Sequence, residues 1–310
     1  VKAARSNVGD PSNAMPSAAL AAPTEQELLV IVGPTASGKT DLSIELAERF
    51  NGEIIGADSI QVYRYFNVGS GKPTLTDRRR AAHHLVDRFD PLESVDAAVF
   101  SSLADEAILA IRGRGRVPII SGGTFLWIKA LVQGLAPAAP ADPAVRARHR
   151  ELVEAMGRQA LHARLVEVDP VVAERLAPND AVRVSRALEV FELSGKPMSA
   201  WHAEHGFRKA RYIYRLIGAA QSQADLDARI AARVRDWLAM GWVDEVRDLV
   251  ARGYDGARAM GSVGYKEVRA HLAGQLPYGE LAATIVRSTR VFARRQRTWL
   301  RDEPVVWTSR

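Results

Sequence analysis

Short apolar runs alternating with amphipathic stretches set the plan of the chain. Leu28-Leu29-Val30-Ile31-Val32, Glu53-Ile54-Ile55-Gly56-Ala57, Val117-Pro118-Ile119-Ile120 and Tyr212–Gly218 each read as a short strand. After the first, Leu42, Leu46, Ala47 and Phe50 fall on one helical face. Ser94 can cap a helix running to about Ile111, with Val95, Val99, Leu103 and Ile108 among its apolar positions. Ser121-Gly122-Gly123-Thr124 after the third run leads into a helix from about Phe125 to Val132, which repeats the strand, glycine turn, helix design. From Asp142-Pro143, a cap followed by proline at the first helical position, to about His205 only helical patterns occur. They break at Asp169-Pro170, Pro178-Asn179-Asp180 and Ser194–Pro197. Helices are then expected at Asp225–Met240 and Val243–Arg252, after the loop Gly261–Lys266, and from Tyr278 onward. The expected fold class is α/β, a parallel sheet flanked by helices (residues 25–141 and 206–310) with an all-helical insertion domain at 142–205. Residues 1–24, rich in Ala, Ser, Pro and Asn, are expected to be a disordered tail, and Ser12–Met15 resembles a recombinant-tag remnant as much as a natural extension.

Composition narrows this plan only a little. The chain has 310 residues, 47% hydrophobic and 25% charged, as in an ordinary soluble globular protein. No run approaches the roughly 18 apolar residues that a membrane span needs, and there is no convincing signal peptide. With no cysteine, disulfides and thiolate metal sites are excluded. The net charge of +6 leaves polyanionic partners open without requiring them.

The strongest local chemistry is Gly33-Pro34-Thr35-Ala36-Ser37-Gly38-Lys39-Thr40, the G-x-x-x-x-G-K-[ST] pattern between a strand and a helix. Glycines let backbone N–H groups turn toward phosphate oxygens, and the helix N-terminus adds partial positive charge. Lys39 supplies an ammonium, and the Thr40 hydroxyl can reach a metal ion or a phosphate oxygen. The sheet is therefore expected to be P-loop NTPase-like. Asp58 follows the second run, at a strand end where ligands bind in open α/β sheets; a helix cap or turn aspartate is the other reading. Asn67–Thr74 forms a second Gly/Lys loop that can approach phosphate but reads better as a surface loop. Adjacent His83 and His84 face different ways and make a poor metal pair. No acid follows Ile120, where a conventional P-loop ATPase holds its metal ion, and Thr124 offers a hydroxyl instead. Arg287, Arg290, Arg294, Arg295, Arg297 and Arg301, with Gln296 and Trp299 among them, suit RNA. A Trp packed in the core with arginines in solvent explains the same composition.

Taken together, GPTASGKT, ADS with Tyr63 after it, VGSGKPT, HHLVD, the GGT turn, NDAVRVSRALEV, SGKP, VGYKE and RRQRTWLR resemble bacterial tRNA dimethylallyltransferases (tRNA isopentenyltransferases) over about residues 28–301. The resemblance implies transfer of a dimethylallyl group from dimethylallyl diphosphate to N6 of the adenosine 3′ to the anticodon. Gly33–Thr40 would hold the donor diphosphate with Mg²⁺, Thr40 being the metal's contact, direct or indirect. Asp58 would be the general base and Arg233 the helix arginine on the leaving group, with Arg229 as its alternative. Thr124 would bond the base or orient Asp58, and Ser59, Ile60 and Gln61 would line the acceptor's way in. The tRNA anticodon stem-loop would meet Arg146, Arg183, Arg186, the Gly264-Tyr265-Lys266 loop, and Arg294, Arg295, Gln296, Arg297, Trp299 and Arg301. Val182 stands where family members often place a polar residue. A cytoplasmic monomer without a membrane partner is expected. Lacking cysteine, the chain resembles the bacterial form rather than relatives with an appended Cys/His zinc finger. The rival readings are an isopentenyltransferase for free adenylate, a P-loop small-molecule kinase and a non-catalytic RNA-binding module.

Overall fold

The structure is a computed structural model that describes residue 9, residues 11–206 and residues 210–309. It divides into two compact units, residues 1–132 with 212–310, and residues 133–211.

The first unit is built on a seven-stranded, fully parallel sheet. The strands are β1 (Met15–Pro16), β2 (Glu27–Val32), β3 (Gly52–Ala57), β4 (His83–His84), β5 (Val117–Gly122), β6 (Ile213–Ala219) and β7 (Val305–Ser309), in the order β1-β7-β6-β2-β5-β3-β4. From β2 the chain goes out to β3, returns to β5 between them, then crosses to β6 on the other side of β2. That reversal beside β2 is the topological switch point, where open α/β sheets bind ligands beyond the carboxyl ends of their strands.

The unbroken apolar runs have a simple cause: both faces of the sheet are covered. Side chains alternate between faces, so Leu28, Val30 and Val32 enter one core while Leu29 and Ile31 enter the other. The second core is closed by α1 (Lys39–Phe50) through Leu42, Ile44, Leu46 and Ala47. On the opposite face lie α3 (Ala97–Gly113), α4 (Phe125–Gln133), α11 (Trp242–Ala251), α12 (Tyr265–Leu272) and α13 (Tyr278–Leu300). Asp96, not Ser94, caps α3, accepting from the N–H groups of Ala98 and Val99. The buried stripe is accordingly Phe100, Ala104, Ile108 and Ile111, with Val99 exposed.

Much of the expected tail belongs to the fold. Residues 1–8 and 10 lie outside the described residues, but Met15–Pro16 pairs with Thr308 and Ser309, and Leu20 is buried. Arg49 of α1 donates to the carbonyls of Ser17 and Leu20, and the Ser17 hydroxyl donates to Glu45. On the tail's side these ties use backbone atoms, one hydroxyl and one apolar side chain, so composition carried no sign of them. Strands β1, β4 and β7 were also not expected; β1 and β4 are two-residue edge strands, too short to show a period.

The second unit contains α5 (Pro143–Met156), α6 (Arg158–Val168), α7 (Pro170–Ala173), α8 (Ala181–Ser194) and α9 (Met198–His205). Leu161, Leu165, Val172, Val184, Ala187 and Leu188 form its core. Asp142 caps α5 with Pro143 in its first turn, as the sequence suggested, and Asp180 caps α8. Residues 207–209, near the expected end of the insertion, are outside the described residues.

Candidate active site

Three strand ends meet the switch point. Gly33–Lys39 leaves β2, Asp58 follows β3, and Gly123-Thr124 follows β5. The β2 loop closes on itself, Ser37 N–H donating to the Pro34 carbonyl at 3.3 Å. Gly38 sits at φ +91° at the N-cap of α1, a left-handed conformation that suits glycine. The Lys39 ammonium donates to the Pro34 carbonyl at 2.7 Å. Burial first, and the Arg233 charge second, lower the Lys39 pKa from 10.5 to about 8, with Asp58 opposing the shift. The Arg233 guanidinium is itself pushed down from its usual value by burial and by Arg229. Such crowded cations favour an arriving anion, whose charge relieves the repulsion.

Arg233 and Arg229 come from α10 (Gln223–Ala239). Arg233 Nη1 lies 3.4 Å from the Thr35 hydroxyl, and a methyl group at Gly38 would lie 3.4 Å from Arg229 Nη1. Trp237, which the sequence did not single out, places its ring 5.3 Å from the Arg233 guanidinium carbon. That contact is a cation–π interaction between residues four apart on one helix face.

Asp58 fulfils the turn reading with one oxygen. Its Oδ1 accepts from Ile60 N–H (2.9 Å) and Gln61 N–H (3.2 Å), while Oδ2 takes no part in the turn. Thr124 does not hydrogen-bond the Asp58 side chain. Its hydroxyl accepts from Ser59 N–H at 3.0 Å and its own N–H donates to the Ala57 carbonyl. Thr124 thus fixes the backbone on both sides of Asp58. The Gln61 amide donates to the carbonyls of Ser70 and Gly71, so Gln61 is held in the second glycine loop.

That second loop does not present its N–H groups to a ligand. Glu245 of α11 accepts from Asn67, Val68 and Gly69 N–H, and from the Tyr265 hydroxyl at 2.7 Å. Burial first, then the Glu245 carboxylate, raises the Tyr265 phenol well above its ordinary value. Lys72 is paired with Asp87 at 2.5 Å. Trp242 lies fully buried against this loop, and a Cβ at Gly69 or at Gly264 (φ +91°) would strike its ring within 2.0 Å. Gly264 and Tyr265, expected to touch tRNA, are therefore core residues. Lys266 beside them has a half-exposed side chain, its ammonium 3.6 Å from the Glu267 carboxylate.

The basic residues sort in a similar way. Gln296, also expected at the RNA, is 5% exposed and bridges the two ligand loops. Its Oε1 accepts from Thr35 N–H at 2.8 Å and its Nε2 donates to the Gly123 carbonyl at 3.1 Å. Trp299 stacks on Phe125, rings 4.3 Å apart and 5° from parallel, so the core-packing reading holds for it. Arg294, Arg295 and Arg301 are exposed, and Arg297 contacts Gln223. In the second unit, fully buried Glu189 takes both Arg146 (2.8 Å) and Arg186 (2.7 Å). Burial raises the Glu189 pKa, but the bonds from these arginines and from Asp142 N–H more than offset it and hold the group below its usual value. Removing either arginine would weaken this buried ion cluster, so both are structural whatever else they touch. Arg183 is exposed, with Asp180 3.5 Å away.

Among the described residues no group of three or more His, Cys, Asp or Glu is arranged to hold a metal ion, His83 and His84 included. His83 bonds the Ala81 carbonyl and His84 the Glu53 carboxylate. No helix among the described residues is long and apolar enough to cross a membrane.

Fold and site together define a P-loop-like architecture, with a glycine loop after β2 and a carboxylate after β3 at the switch point. Residues 61–303 match the family model of the IPP transferases, and the chain belongs to that family. It is 64% identical over 290 residues to a tRNA dimethylallyltransferase of Sorangium cellulosum, covering 94% of this chain and 92% of the relative. Among solved structures, the full-length tRNA isopentenylpyrophosphate transferase of Bacillus halodurans is 37% identical, with a TM-score of 0.68 over 92% of this chain and 90% of that one. A eukaryotic dimethylallyltransferase acting on tRNA superposes with a TM-score of 0.74 at 27% identity, covering 89% of this chain and 70% of that chain.

Proposed function

We propose that the chain transfers a dimethylallyl group from dimethylallyl diphosphate to N6 of the adenosine 3′ to the anticodon in tRNA, yielding N6-isopentenyladenosine and diphosphate. The observation that carries this reading is the convergence at one switch point of the Gly33–Lys39 loop, with Arg233 against its Thr35 hydroxyl, and of Asp58 at the end of β3. Two cations and a set of loop N–H groups suit a departing diphosphate, and one carboxylate beside them suits an amine that must lose a proton.

In this mechanism N6 attacks the allylic C1 as the C1–O bond breaks. The bonding electrons leave with diphosphate, and the N6 proton passes to Asp58 Oδ2 as the C–N bond forms. Lys39, Arg233 and the α1 N-terminus stabilise the charge growing on the leaving oxygen. The target base must leave the anticodon-loop stack to reach the crevice.

The donor chemistry implies a divalent cation, and Mg²⁺ fits the oxygen donors present. It would bind the Thr40 hydroxyl and take its other ligands from diphosphate and water, since among the described residues no group of three or more His, Cys, Asp or Glu is arranged to hold it. When bound it neutralises diphosphate charge.

For tRNA, the exposed Arg294, Arg295 and Arg301 of the α13 region are the backbone contacts we favour, with Lys266, Arg297 and Arg183 as further cations. Log affinity should then fall linearly with log salt, by about 0.7–0.9 per phosphate neutralised. Replacing both Arg294 and Arg295 by Ala should flatten that slope by about one to two units, read by filter binding across a salt series. An unchanged slope would remove them from the interface.

The function itself is tested with Mg²⁺, labelled dimethylallyl diphosphate, and either unmodified tRNA or AMP. Label in tRNA is the expected result. Label only in AMP moves the enzyme to free nucleotides, and label in neither refutes prenyl transfer.

A further inference from the structure

Sheet pairing fixes β2 and β5 side by side, but the ladder ends at the strands. The donor loop and the acceptor-side turn both extend past it, Gly33–Gly38 on one and Gly123-Thr124 on the other. In the transfer reaction proposed above, the distance between them would set how the allylic carbon meets N6. Gln296 spans that gap from α13, holding Thr35 N–H on one side and the Gly123 carbonyl on the other. The approach is close: a Cβ on Gly123 would lie 2.5 Å from Gln296 Nε2. The orientation of the amide is fixed by its partners, since an N–H needs the oxygen and a carbonyl needs the NH₂. Three residues further on, Trp299 stacks on Phe125, the first residue after that turn and the start of α4. This part of α13 is thus docked to the β5 turn twice, while neighbouring Arg294 and Arg295 face solvent.

We propose that Gln296 is a positioning residue: it tethers the donor loop to the acceptor turn and so holds the two substrates in register for transfer, rather than contacting tRNA. This rests on the transfer reaction proposed above. Its effect belongs to orientation, where small misplacements cost rate without costing binding.

The test compares Gln296→Met and Gln296→Glu with the wild type in steady-state transfer. Gln296→Met keeps the side chain's length and removes both bonds. It should lower kcat about 10- to 100-fold while KM for the donor and for tRNA each stay within about threefold. Gln296→Glu guards against a Met variant that fails to fold. Its carboxylate can accept from Thr35 N–H but cannot donate to the Gly123 carbonyl, whereas the protonated carboxyl repeats the amide's pattern. The kcat of Gln296→Glu relative to wild type should therefore rise as pH falls. A kcat matching wild type in Gln296→Met, a loss seen only in KM, or a ratio for Gln296→Glu that is flat with pH would each overturn the proposal. A wild-type protein that transfers nothing overturns the transfer reading, and this inference with it. Transfer by the wild type with unaltered variants overturns the inference alone.

Discussion

Replacing Asp58 by alanine is expected to lower turnover by about 10²–10⁴-fold, the range for loss of a positioned general base. Alanine does two things at once, however. It removes the base, and it removes the Oδ1 acceptor that holds Ile60 and Gln61 N–H in the turn. Asp58→Asn separates them, because an amide oxygen can still accept from both N–H groups while the side chain can no longer take a proton. If the proton goes to Oδ2, Asn and Ala should fall by similar amounts, with donor KM little changed. Single-turnover transfer to tRNA at saturating donor checks this. Near-normal turnover in Asp58→Asn would make Asp58 a turn residue only.

Whatever was local could be read in the sequence. The Gly33–Thr40 loop, the Asp142-Pro143 helix start and the four long apolar strands depend on neighbours within a few residues, and these were placed correctly to within a residue or two. The parallel sheet followed from them. Side chains whose surroundings are set by tertiary packing could not be placed from the sequence. Gln296 sits among arginines and looks like an RNA contact, yet its partners are 261 and 173 residues away. Tyr265 and Gly264 look like an exposed loop until Trp242 and Glu245 are brought beneath them. Arg146 and Arg186 are expected at the RNA, and nothing in the sequence hints that Glu189 is fully buried and pairs with both. Charge patterning reports which cations exist. Only packing reports which of them already have an anion.

The second large effect concerns Lys39. Lys39→Met should reduce kcat/KM for the donor by about 10²–10³-fold, the scale for losing one charge-assisted contact to a developing anion. The pH dependence tests the cause. In the free enzyme burial and Arg233 depress the Lys39 pKa to about 8, so the ammonium is largely neutralised above that pH. A diphosphate bound there favours the charged form and raises the pKa again. By linkage, binding takes up a proton wherever Lys39 is neutral in the free enzyme and charged in the complex. Donor affinity should therefore be constant below about pH 8 and fall above it, by up to about tenfold per pH unit, until the pKa of the complex is reached. Calorimetric titration with dimethylallyl diphosphate between neutral and alkaline pH reads this directly, and proton uptake shows as a buffer-dependent heat. Lys39→Met supplies the control, because its affinity should be weak but lack the step near pH 8. The same step in wild type and variant would assign the titration to another group and leave the loop's charge unexplained by Lys39.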